Sequence, residues 1–427
     1  MKKVPRDYQR HAVIETCAHW SNGARSVCLV APTGAGKTEM GMELIGDPVR
    51  SLWVAHRREL VIQTADRLAA RFGRQSVACV MAGEPLRPEA RIQVGTVQTL
   101  LVRAESLPGV ERLVLDEAHH YTGTEWAALH ETYATAKAVG PTATPERRDG
   151  TPMGDSYDAM VVAASYSQLV DSGVLVPARV YRPEKKLGAD LAQDPLEAWF
   201  ALAEGAQTFV SCARVDIARS LASRFNAAGV RAAAVSATTP KIERDDILSS
   251  FRSGRIRVLT NVDVLTEGID VPNASCAVLA KSFGYPSAYI QTVGRVIRSA
   301  PGKRYAIVID LCGTTHKHGM PTDDRTYSLE GRAISTRDVD DREFPGSDYV
   351  FSQEIVGAPL VLANEEAAPI TSPPPAKSEL EIQREAYDRL AAEAEAKGLG
   401  GGYAAIKFQS MFGVWPPTKW TRRRAAR

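Results

Sequence analysis

Short apolar runs alternate with longer stretches of helical period along most of the chain. Strands buried on both faces appear as near-continuous apolar runs, and helices fill the intervals between them. The alternation extends from residue 26 to about residue 177 and then restarts, so it predicts two tandem α/β domains with parallel sheets and a boundary between residues 176 and 190. The predicted strands are 26–31, 51–55, 91–95, 112–116 and 136–142, then 207–211, 231–235, 256–260, 276–280 and 304–310, with helices at 37–45, 59–72 and 215–228.

The alternation stops after residue 313. Residues 314–350 are rich in Asp, Arg and Gly without a clear period, and residues 357–377 carry five prolines, which is typical of a semi-extended linker. A capping box of Ser378 and Glu381 then predicts a helix, and a second short helix is expected at 404–412. The first of these helices presents one apolar face, formed by Leu380, Tyr387, Leu390 and Ala394. The predicted domains are 1–177, 178–315, an irregular segment and linker over 316–377, and a small α-helical module over 378–427.

Composition and charge narrow the class of protein. The 427 residues are 44% apolar and 24% charged, and 52 Lys and Arg against 50 Asp and Glu leave a net charge of +2. Any nucleic-acid binding must therefore come from local placement of charge. Six scattered cysteines without a CxxC pair fit a reducing cytosol, and no apolar run reaches the length of a membrane span. We expect a soluble cytoplasmic protein without a signal peptide.

A phosphate-binding loop follows the first predicted strand. The segment APTGAGKT, residues 31–38, has glycines that let backbone N–H groups surround phosphates at a helix N-terminus. Lys37 is expected to contact the β- and γ-phosphates of a nucleotide, and the Thr38 hydroxyl to bind Mg²⁺. Ala31 stands where the general pattern has glycine, and a chance match in a turn is the alternative interpretation.

Two acidic residues follow the strand at 112–116. In an open parallel sheet, ligands gather at the carboxyl ends of the strands. Asp116 at that position can hold Mg²⁺ through water, and Glu117 can polarise the attacking water. The alternative, a solvated strand end, is weakened by the phosphate loop upstream.

Four motifs together carry a family resemblance. APTGAGKT, DEAH at 116–119, TATP at 142–145 and QTVGRVIR at 291–298 resemble, in this order, a superfamily 2 DEAD/DEAH-type helicase. The resemblance covers residues 4–313 and implies two RecA-like P-loop domains that use ATP and Mg²⁺. TATPERRDG at 142–150 also resembles the phage and bacterial DNA-repair branch of the family.

The resemblance assigns further roles. Gln9 resembles an adenine-reading glutamine, whose amide matches N6 and N7 of adenine. Gln291, Arg295 and Arg298 are implied as catalytic residues, with the two arginines one helical turn apart and pointing into the interdomain cleft as arginine fingers. The other implied residues are Arg6, Tyr8, Thr33, Gly34, Ala35, Gly36, Gly268 and Asp270 for the nucleotide; His56, Arg57, Thr96, Gln98, Ser211, Arg214 and Thr260 for nucleic acid; and His119, Thr142 and Thr144 for coupling.

The function expected from these residues is ATP-dependent movement on DNA or unwinding of DNA, in replication, recombination or repair. DNA is favoured over RNA because the DEAH, TAT and QxxGR variants are more like those of DNA helicases. An RNA helicase, a duplex-remodelling translocase and an ATP-gated nucleic-acid clamp remain as alternatives.

Weaker signals lie outside these motifs. Cys312, His316 and His318 match no common zinc spacing, so no zinc is expected. His120 is interpreted as an incidental neighbour of the DEAH histidine. Trp415 and Trp420 lie among basic residues of the tail, which either binds single strands or is a solvated end of a docking module. Protein partners cannot be predicted from this sequence.

Overall fold

A seven-stranded parallel sheet forms the centre of the first domain. The computed structural model describes residues 4–46, 48–147, 152–262, 271–330, 334–335, 353–364 and separate residues between 384 and 417. The strand order is β3-β4-β2-β5-β6-β1-β7. The strands are β1 (Ser26–Val30), β2 (Ser51–Val54), β3 (Val77–Val80), β4 (Ile92–Gly95), β5 (Arg112–Leu115), β6 (Lys137–Thr142) and β7 (Ala159–Val162).

Helices cover the two faces of this first sheet. Every residue of β1, β2 and β4 is buried, which matches their continuous apolar sequences. The helices are α1 (Asp7–Ser21), α2 (Lys37–Ile45), α3 (Arg58–Phe72), α4 (Val97–Val102), α5 (Gly123–Thr132) and α6 (Tyr166–Asp171), with 3₁₀ turns at Arg74–Ser76, Ala104–Ser106 and Ala118–His120.

The second domain repeats the same strand order. Its sheet runs β10-β11-β9-β12-β13-β8-β16, so six of its strands follow the order of the first six strands of the first sheet. Only β16 is antiparallel to its neighbour, β8. The strands are β8 (Ala178–Pro183), β9 (Thr208–Cys212), β10 (Ala232–Val235), β11 (Val258–Asn261), β12 (Cys276–Ala280), β13 (Ala306–Asp310) and β16 (Leu360–Leu362); β14 (Arg325–Thr326) and β15 (Ile334–Ser335) pair separately.

The helices of the second domain are α7 (Pro195–Ala203), α8 (Val215–Ala227), α9 (Lys241–Arg252), α10 (Pro286–Gly294) and α11 (Thr314–His318). The N-terminus of α7 is held by Asp194, whose carboxylate accepts from the backbone N–H groups of Leu196 and Glu197. The same carboxylate pairs with Arg224 of α8. This pair of bonds ties two consecutive helices of the domain together.

The predicted strands are confirmed with small shifts, and six strands of the described residues were not predicted: β3, β7, β8, β14, β15 and β16. β3 (VACV) and β7 (AMVV) are apolar runs of only four residues, and β8 (ARVYRP) alternates apolar residues with arginine. β16 lies within the stretch predicted to be irregular. Residues 353–364 instead pack along the second domain. The backbone of Leu191 forms hydrogen bonds with Glu354 and Val356, and Ala363 N donates to the Val180 carbonyl.

The C-terminal unit, residues 371–427, has its own small core. This core is formed by helical residues between 384 and 394 and by the helix α12 (Tyr403–Phe412). Tyr387, Leu390, Ala404 and Phe408 are buried, and the Tyr387 and Phe408 rings meet edge to face at 5.7 Å. The predicted apolar face is thus buried at Tyr387, Leu390 and Ala394. Its capping box, Leu380 and the basic tail with Trp420 lie outside the described residues.

Candidate nucleotide and nucleic-acid site

The strand order decides which motifs are neighbours at the carboxyl edge of the first sheet. Passing along the order β4, β2, β5, β6, β1, the edge carries Thr96, then His56, then the DEAH segment, then Thr142, then the phosphate loop. The residues predicted to contact nucleic acid therefore lie at one end of this edge and the phosphate loop at the other. The DEAH segment lies between them.

The phosphate loop has the backbone that anion binding requires. Gly34 and Gly36 have φ of +96° and +83°, and Gly36 immediately precedes α2. Side chains of L-residues rarely adopt the φ of Gly36, and an added Cβ would also displace the amide end of Gln9, so glycine is favoured there. The N-terminus of α2 and the buried Lys37 provide concentrated positive potential for phosphates.

Lys37 is held next to the acidic pair after β5. Its Nζ lies 3.6 Å from Glu117 Oε1. Burial and the negative charge of Glu117 raise the pKa of Asp116 to about 6, although Lys37 opposes the shift. Lys37 balances only one of the two negative charges that Asp116 and Glu117 can carry. A cation can balance the other, and Mg²⁺ prefers oxygen ligands such as these. Thr38 and Asp116 are thus suited to hold this ion.

Glu117 is the one non-glycine residue of the described chain with a positive φ, at 52° with ψ of 59°. This left-handed conformation carries a steric cost for a residue with a Cβ. It turns the chain from β5 directly into the 3₁₀ turn Ala118–His120. The turn delivers His119 to the cleft between the domains.

The predicted adenine-reading residues brace the phosphate loop. Tyr8 Oη and Gln9 Nε2 both donate to the Ala35 carbonyl, at 2.7 and 2.9 Å. Gln9 Oε1 accepts from the Arg6 backbone N–H, so both ends of its buried amide are engaged within the protein. Reading adenine would require Gln9 to exchange one of these bonds, and that role stays a prediction.

The second domain reaches the phosphate loop through the end of α10. A Cβ added to Gly294 would lie 2.4 Å from Thr33 Cβ, and one added to Gly34 would lie 3.2 Å from Arg298 Cγ. These distances show close packing of the Gly294–Arg298 segment on the loop. Arg298 therefore lies beside the predicted phosphate site, as the finger interpretation requires.

The two arginines are not on one helical face, however. The helix α10 ends at Gly294, Arg295 follows it in a turn, and Arg298 forms an antiparallel β-bridge with Leu175. The connector between the domains causes this, because Val176 N donates to Ile297 O and Ser299 N donates to Val174 O. The predicted one-turn helical spacing of the pair was wrong.

His119 links the two domains. Gln291 Nε2 lies 3.0 Å from His119 Nε2, and His119 Nδ1 lies 3.0 Å from Thr142 Oγ1. Because the Thr142 hydroxyl donates to the Thr144 carbonyl, it accepts from His119 Nδ1–H, and Gln291 donates to the other ring nitrogen. His119 Nδ1 also lies 3.7 Å from Glu117 Oε2. The predicted coupling residues His119, Thr142 and Thr144 thus form one bonded group with Gln291.

Most of the predicted nucleic-acid residues follow strand ends. Arg57 and Gln98 are exposed, and Thr96 begins α4. Gln98 donates to Glu125, and Arg214 at the start of α8 forms two bonds with Asp216. Arg57, Thr96 and Gln98 share the carboxyl edge of β2 and β4, whereas Arg214 belongs to the second sheet.

Thr260 and Ser211 lie inside the second domain. Thr260 is fully buried in β11, and its hydroxyl donates to the Ala218 carbonyl, so its predicted contact with nucleic acid was wrong. Its role is to tie β11 to α8. Ser211 is also buried, with 4% of its surface exposed. Gly268 and Asp270 lie outside the described residues.

Other polar groups have structural partners. His316 Nε2 lies 2.8 Å from the Pro183 carbonyl and His318 Nε2 lies 2.7 Å from the Phe283 carbonyl. Within the described ranges, no group of three metal-ligating side chains occurs. Among the same residues, no helix is long and apolar enough to cross a membrane.

Comparisons with known proteins agree with this architecture. Residues 2–147 match the family of the type III restriction enzyme res subunit, and residues 193–300 match the helicase conserved C-terminal domain. A 51.5 kDa protein of Lactococcus phage (isolate 7-9) is 29% identical over an alignment of length 318 that covers 68% of this chain and 66% of that protein. The DNA 3'-5' translocase XPB2 of Sulfurisphaera tokodaii is 24% identical over an alignment of length 370 that covers 72% of this chain and 82% of the relative.

The fold is also that of solved helicase structures. Dbp5 of S. cerevisiae, bound to RNA and ADP BeF3, superposes with a TM-score of 0.53 at 19% identity, over 75% of this chain and 85% of Dbp5. The two matched domains together span more than half of the chain, in the order expected. The chain belongs to superfamily 2 of the helicases, with two RecA-like domains. It spans 66% of the length of its phage relative.

Proposed function

We propose that this protein is an ATP-dependent DNA translocase or helicase that uses Mg²⁺. The observation that carries the proposal is the bond between His119 of the first domain and Gln291 of the second, beside the Lys37–Glu117 pair. A nucleotide in this cleft would contact both domains. Its binding and hydrolysis would therefore change how the two domains are held together.

Each residue of the cleft has a different role in the proposed hydrolysis. Lys37 and the N-terminus of α2 bind the phosphates, and Glu117 accepts a proton from the attacking water. Arg298 and Arg295 add positive charge where negative charge develops on the transferred phosphoryl group. Mg²⁺, held by Thr38 and Asp116, supplies charge neutralisation of the phosphates when bound.

DNA is the favoured substrate. The relative XPB2 is a DNA translocase by name, and its similarity covers 72% of this chain. Dbp5 was solved with RNA, so the fold by itself does not distinguish the two nucleic acids. The TAT and QxxGR variants of this chain support DNA. We further propose that the protein acts in replication, recombination or repair. We also propose that it is located in the cytoplasm, because its six free cysteines fit a reducing compartment.

The test is ATP hydrolysis measured side by side with single-stranded DNA, duplex DNA and RNA at matched nucleotide concentration. We expect DNA to raise kcat more than RNA does. Lys37→Ala is the control, because a small residual rate in that variant measures the background from other enzymes in the preparation. Stronger stimulation by RNA would replace the DNA proposal with an RNA helicase.

A second measurement separates movement from clamping. A translocase displaces a protein block or an annealed strand with ATP, whereas an ATP-gated clamp changes only its affinity for the nucleic acid. Intact Glu117 and Arg298 at the phosphate loop favour turnover. Tight ATP-dependent binding without displacement of any block or strand would favour the clamp.

A further inference from the structure

Three histidine rings are in contact at the carboxyl edge of the first sheet, one pair stacked and the other tilted. The His56 and His120 rings lie 4.0 Å apart between centroids, at an interplanar angle of 22°. His120 also packs on His119, with centroids 4.2 Å apart at 40°. His120 is therefore the middle ring of a continuous stack, hereafter the histidine stack.

The two ends of the histidine stack belong to different parts of the site. His56 follows β2 and directly precedes the exposed Arg57, where nucleic-acid contact is predicted. His119 at the other end is bonded through both ring nitrogens, to Thr142 and to Gln291 of the second domain. The stack thus connects the proposed nucleic-acid edge with the group that holds the domains together.

The strand order explains why this contact exists. β2 and β5 are adjacent and parallel, in register from Ser51 with Arg112 to Val54 with Leu115. Their carboxyl ends therefore bring the segments that carry His56 and His120 side by side. The left-handed backbone at Glu117 then turns the chain so that consecutive histidines, 119 and 120, face the cleft and the β2 edge.

The histidine stack leaves His119 little freedom to move alone. Both of its nitrogens have partners, and its ring is in contact with the ring of His120. A displacement of His56 on binding of a strand must shift His120 or break the stack, since stacked rings in contact cannot interpenetrate. Such a shift reaches His119, which lies 3.7 Å from Glu117 Oε2.

We propose that His120 is a positioning residue that transmits nucleic-acid binding at the His56 edge to the catalytic group around Glu117. The inference rests on the proposed function, since it requires that nucleic acid stimulates hydrolysis. His120 acts through the His56 and His119 rings and touches neither nucleotide nor strand in this role. Its side chain is needed as a ring that fills the space between them.

The experiment compares full-length variants in ATP hydrolysis with and without saturating single-stranded DNA. His120→Ala removes the middle ring, and His120→Tyr retains an aromatic ring. His130→Ala is the matched control, because His130 is also a histidine stacked on a ring of the first domain, Trp126 at 4.9 Å, but lies outside the histidine stack.

We expect His120→Ala to keep the basal kcat and the half-saturating DNA concentration, and to lose about fivefold or more of the stimulated kcat, in the range of ordinary site–site coupling. His120→Tyr should recover most of the stimulation, and His130→Ala should behave as wild type. A thermal melt of each variant checks that the fold is kept. Wild-type stimulation in His120→Ala, or loss in the alanine and tyrosine variants alike, would overturn the proposal.

A double-mutant cycle gives an independent reading should His120→Ala be unstable. His120→Leu, which keeps a bulky side chain without the aromatic ring, should lose stimulation as His120→Ala does, and if the two rings act through one contact, His120→Leu and His56→Ala should be non-additive in stimulated kcat. Additive effects would count against the histidine stack as the route. Absence of stimulation by any nucleic acid in the wild type would instead refute the proposed function, and the coupling with it.

Discussion

At the residue scale, Glu117 combines strain with chemistry. Its positive φ persists because the surrounding bonds hold it, with Lys37 on one carboxylate oxygen and His119 near the other. Residues in such sparsely populated backbone regions gather at functional sites. The conformation aims the carboxylate at the phosphate loop instead of letting it extend along β5.

Glu117→Gln should preserve nucleotide binding and lose turnover. The amide keeps the size of the side chain but cannot accept a proton from water, so kcat should fall by about 10²- to 10⁴-fold. Titration with a fluorescent nucleotide measures binding, and single-turnover hydrolysis measures chemistry. If binding and turnover fall together, the glutamate is a structural residue of the turn.

Lys37→Ala should abolish hydrolysis with weaker nucleotide binding, because the variant removes the buried cation of the phosphate loop. We expect kcat to fall by about 10²-fold or more. Steady-state hydrolysis and a nucleotide titration provide the two measurements. Unchanged turnover would show that the phosphates bind elsewhere.

At the element scale, the connector between the domains forms part of the catalytic cleft. The chain from Val174 to Val176 pairs with residues 297–299, immediately beside Arg298. A connector bonded to the finger segment limits how far that segment can move from the phosphate loop. Domain opening must therefore either break these bonds or carry both segments together.

Arg298→Ala should cut kcat strongly with a smaller effect on nucleotide affinity. In the proposed finger role, the guanidinium would stabilise charge that is greatest in the transition state, and arginine fingers contribute about 10³-fold or more. Arg298→Lys is a matched comparison, because lysine keeps the positive charge but lacks the planar guanidinium with its paired N–H donors. The measurement is kcat and KM for ATP. An unchanged kcat in both variants would exclude the finger role.

The Asp194 contact between α7 and α8 should give a pH-dependent contribution to stability. Burial raises its pKa, but the Arg224 guanidinium and the N–H groups of Glu197 and Leu196 lower it more, so the folded-state pKa lies below the ordinary 3.8. Its contribution is then fully present above the ordinary value and is lost as pH falls through the folded-state pKa.

Asp194→Asn should therefore lower the melting temperature near neutral pH, while the difference from wild type narrows below about pH 4. Asparagine retains helix capping, so the variant isolates the charge. Asp194→Ala, which also removes the cap, should cost about 1 kcal/mol more. If the difference in melting temperature between Asp194→Asn and wild type stays constant with pH, the ion pair between Asp194 and Arg224 is not the cause of the stabilisation.

Elements with a local signature could be predicted from sequence, and elements formed by distant pairing could not. β1 and β12 are continuous apolar runs, and the phosphate loop is one contiguous motif. β8 alternates arginine with apolar residues, so its place in the sheet depends on β13, over 120 residues away. The arginine spacing failed for the same reason, because the connector pulls Arg298 out of helical geometry.

In the candidate site, too, residues in local motifs could be predicted from sequence, whereas contacts between distant segments could not. Lys37 lies at the end of the phosphate loop, and Asp116 and Glu117 directly follow β5, so two local motifs single out residues that the fold brings together. The histidine stack depends on β2 and β5 being neighbours, which no local pattern reveals, and the paired histidines at 119–120 were its only trace. Thr260 was misassigned because a motif position does not report burial.

At the scale of the whole molecule, the two sheets differ at their outer edge. The first sheet ends in the parallel strand β7, whereas the second is extended by β16, contributed by a segment about 180 residues further along the chain than its partner. Asn364 continues the pairing with its side chain, accepting from Val180 N and donating to the Ala178 carbonyl. The backbone of β8 is thereby satisfied along this side.

Without β16, the outer side of β8 would be an open template on which a second molecule could add a strand, so this short segment protects the protein against aggregation. Ala363→Pro should disrupt this pairing, since proline lacks the N–H that donates to the Val180 carbonyl and restricts the residue before it. Light scattering should then show concentration-dependent self-association, absent in the control Ala363→Ser, while hydrolysis per molecule is retained in dilute solution. If the proline variant scatters as the serine variant does, the edge is protected by other means.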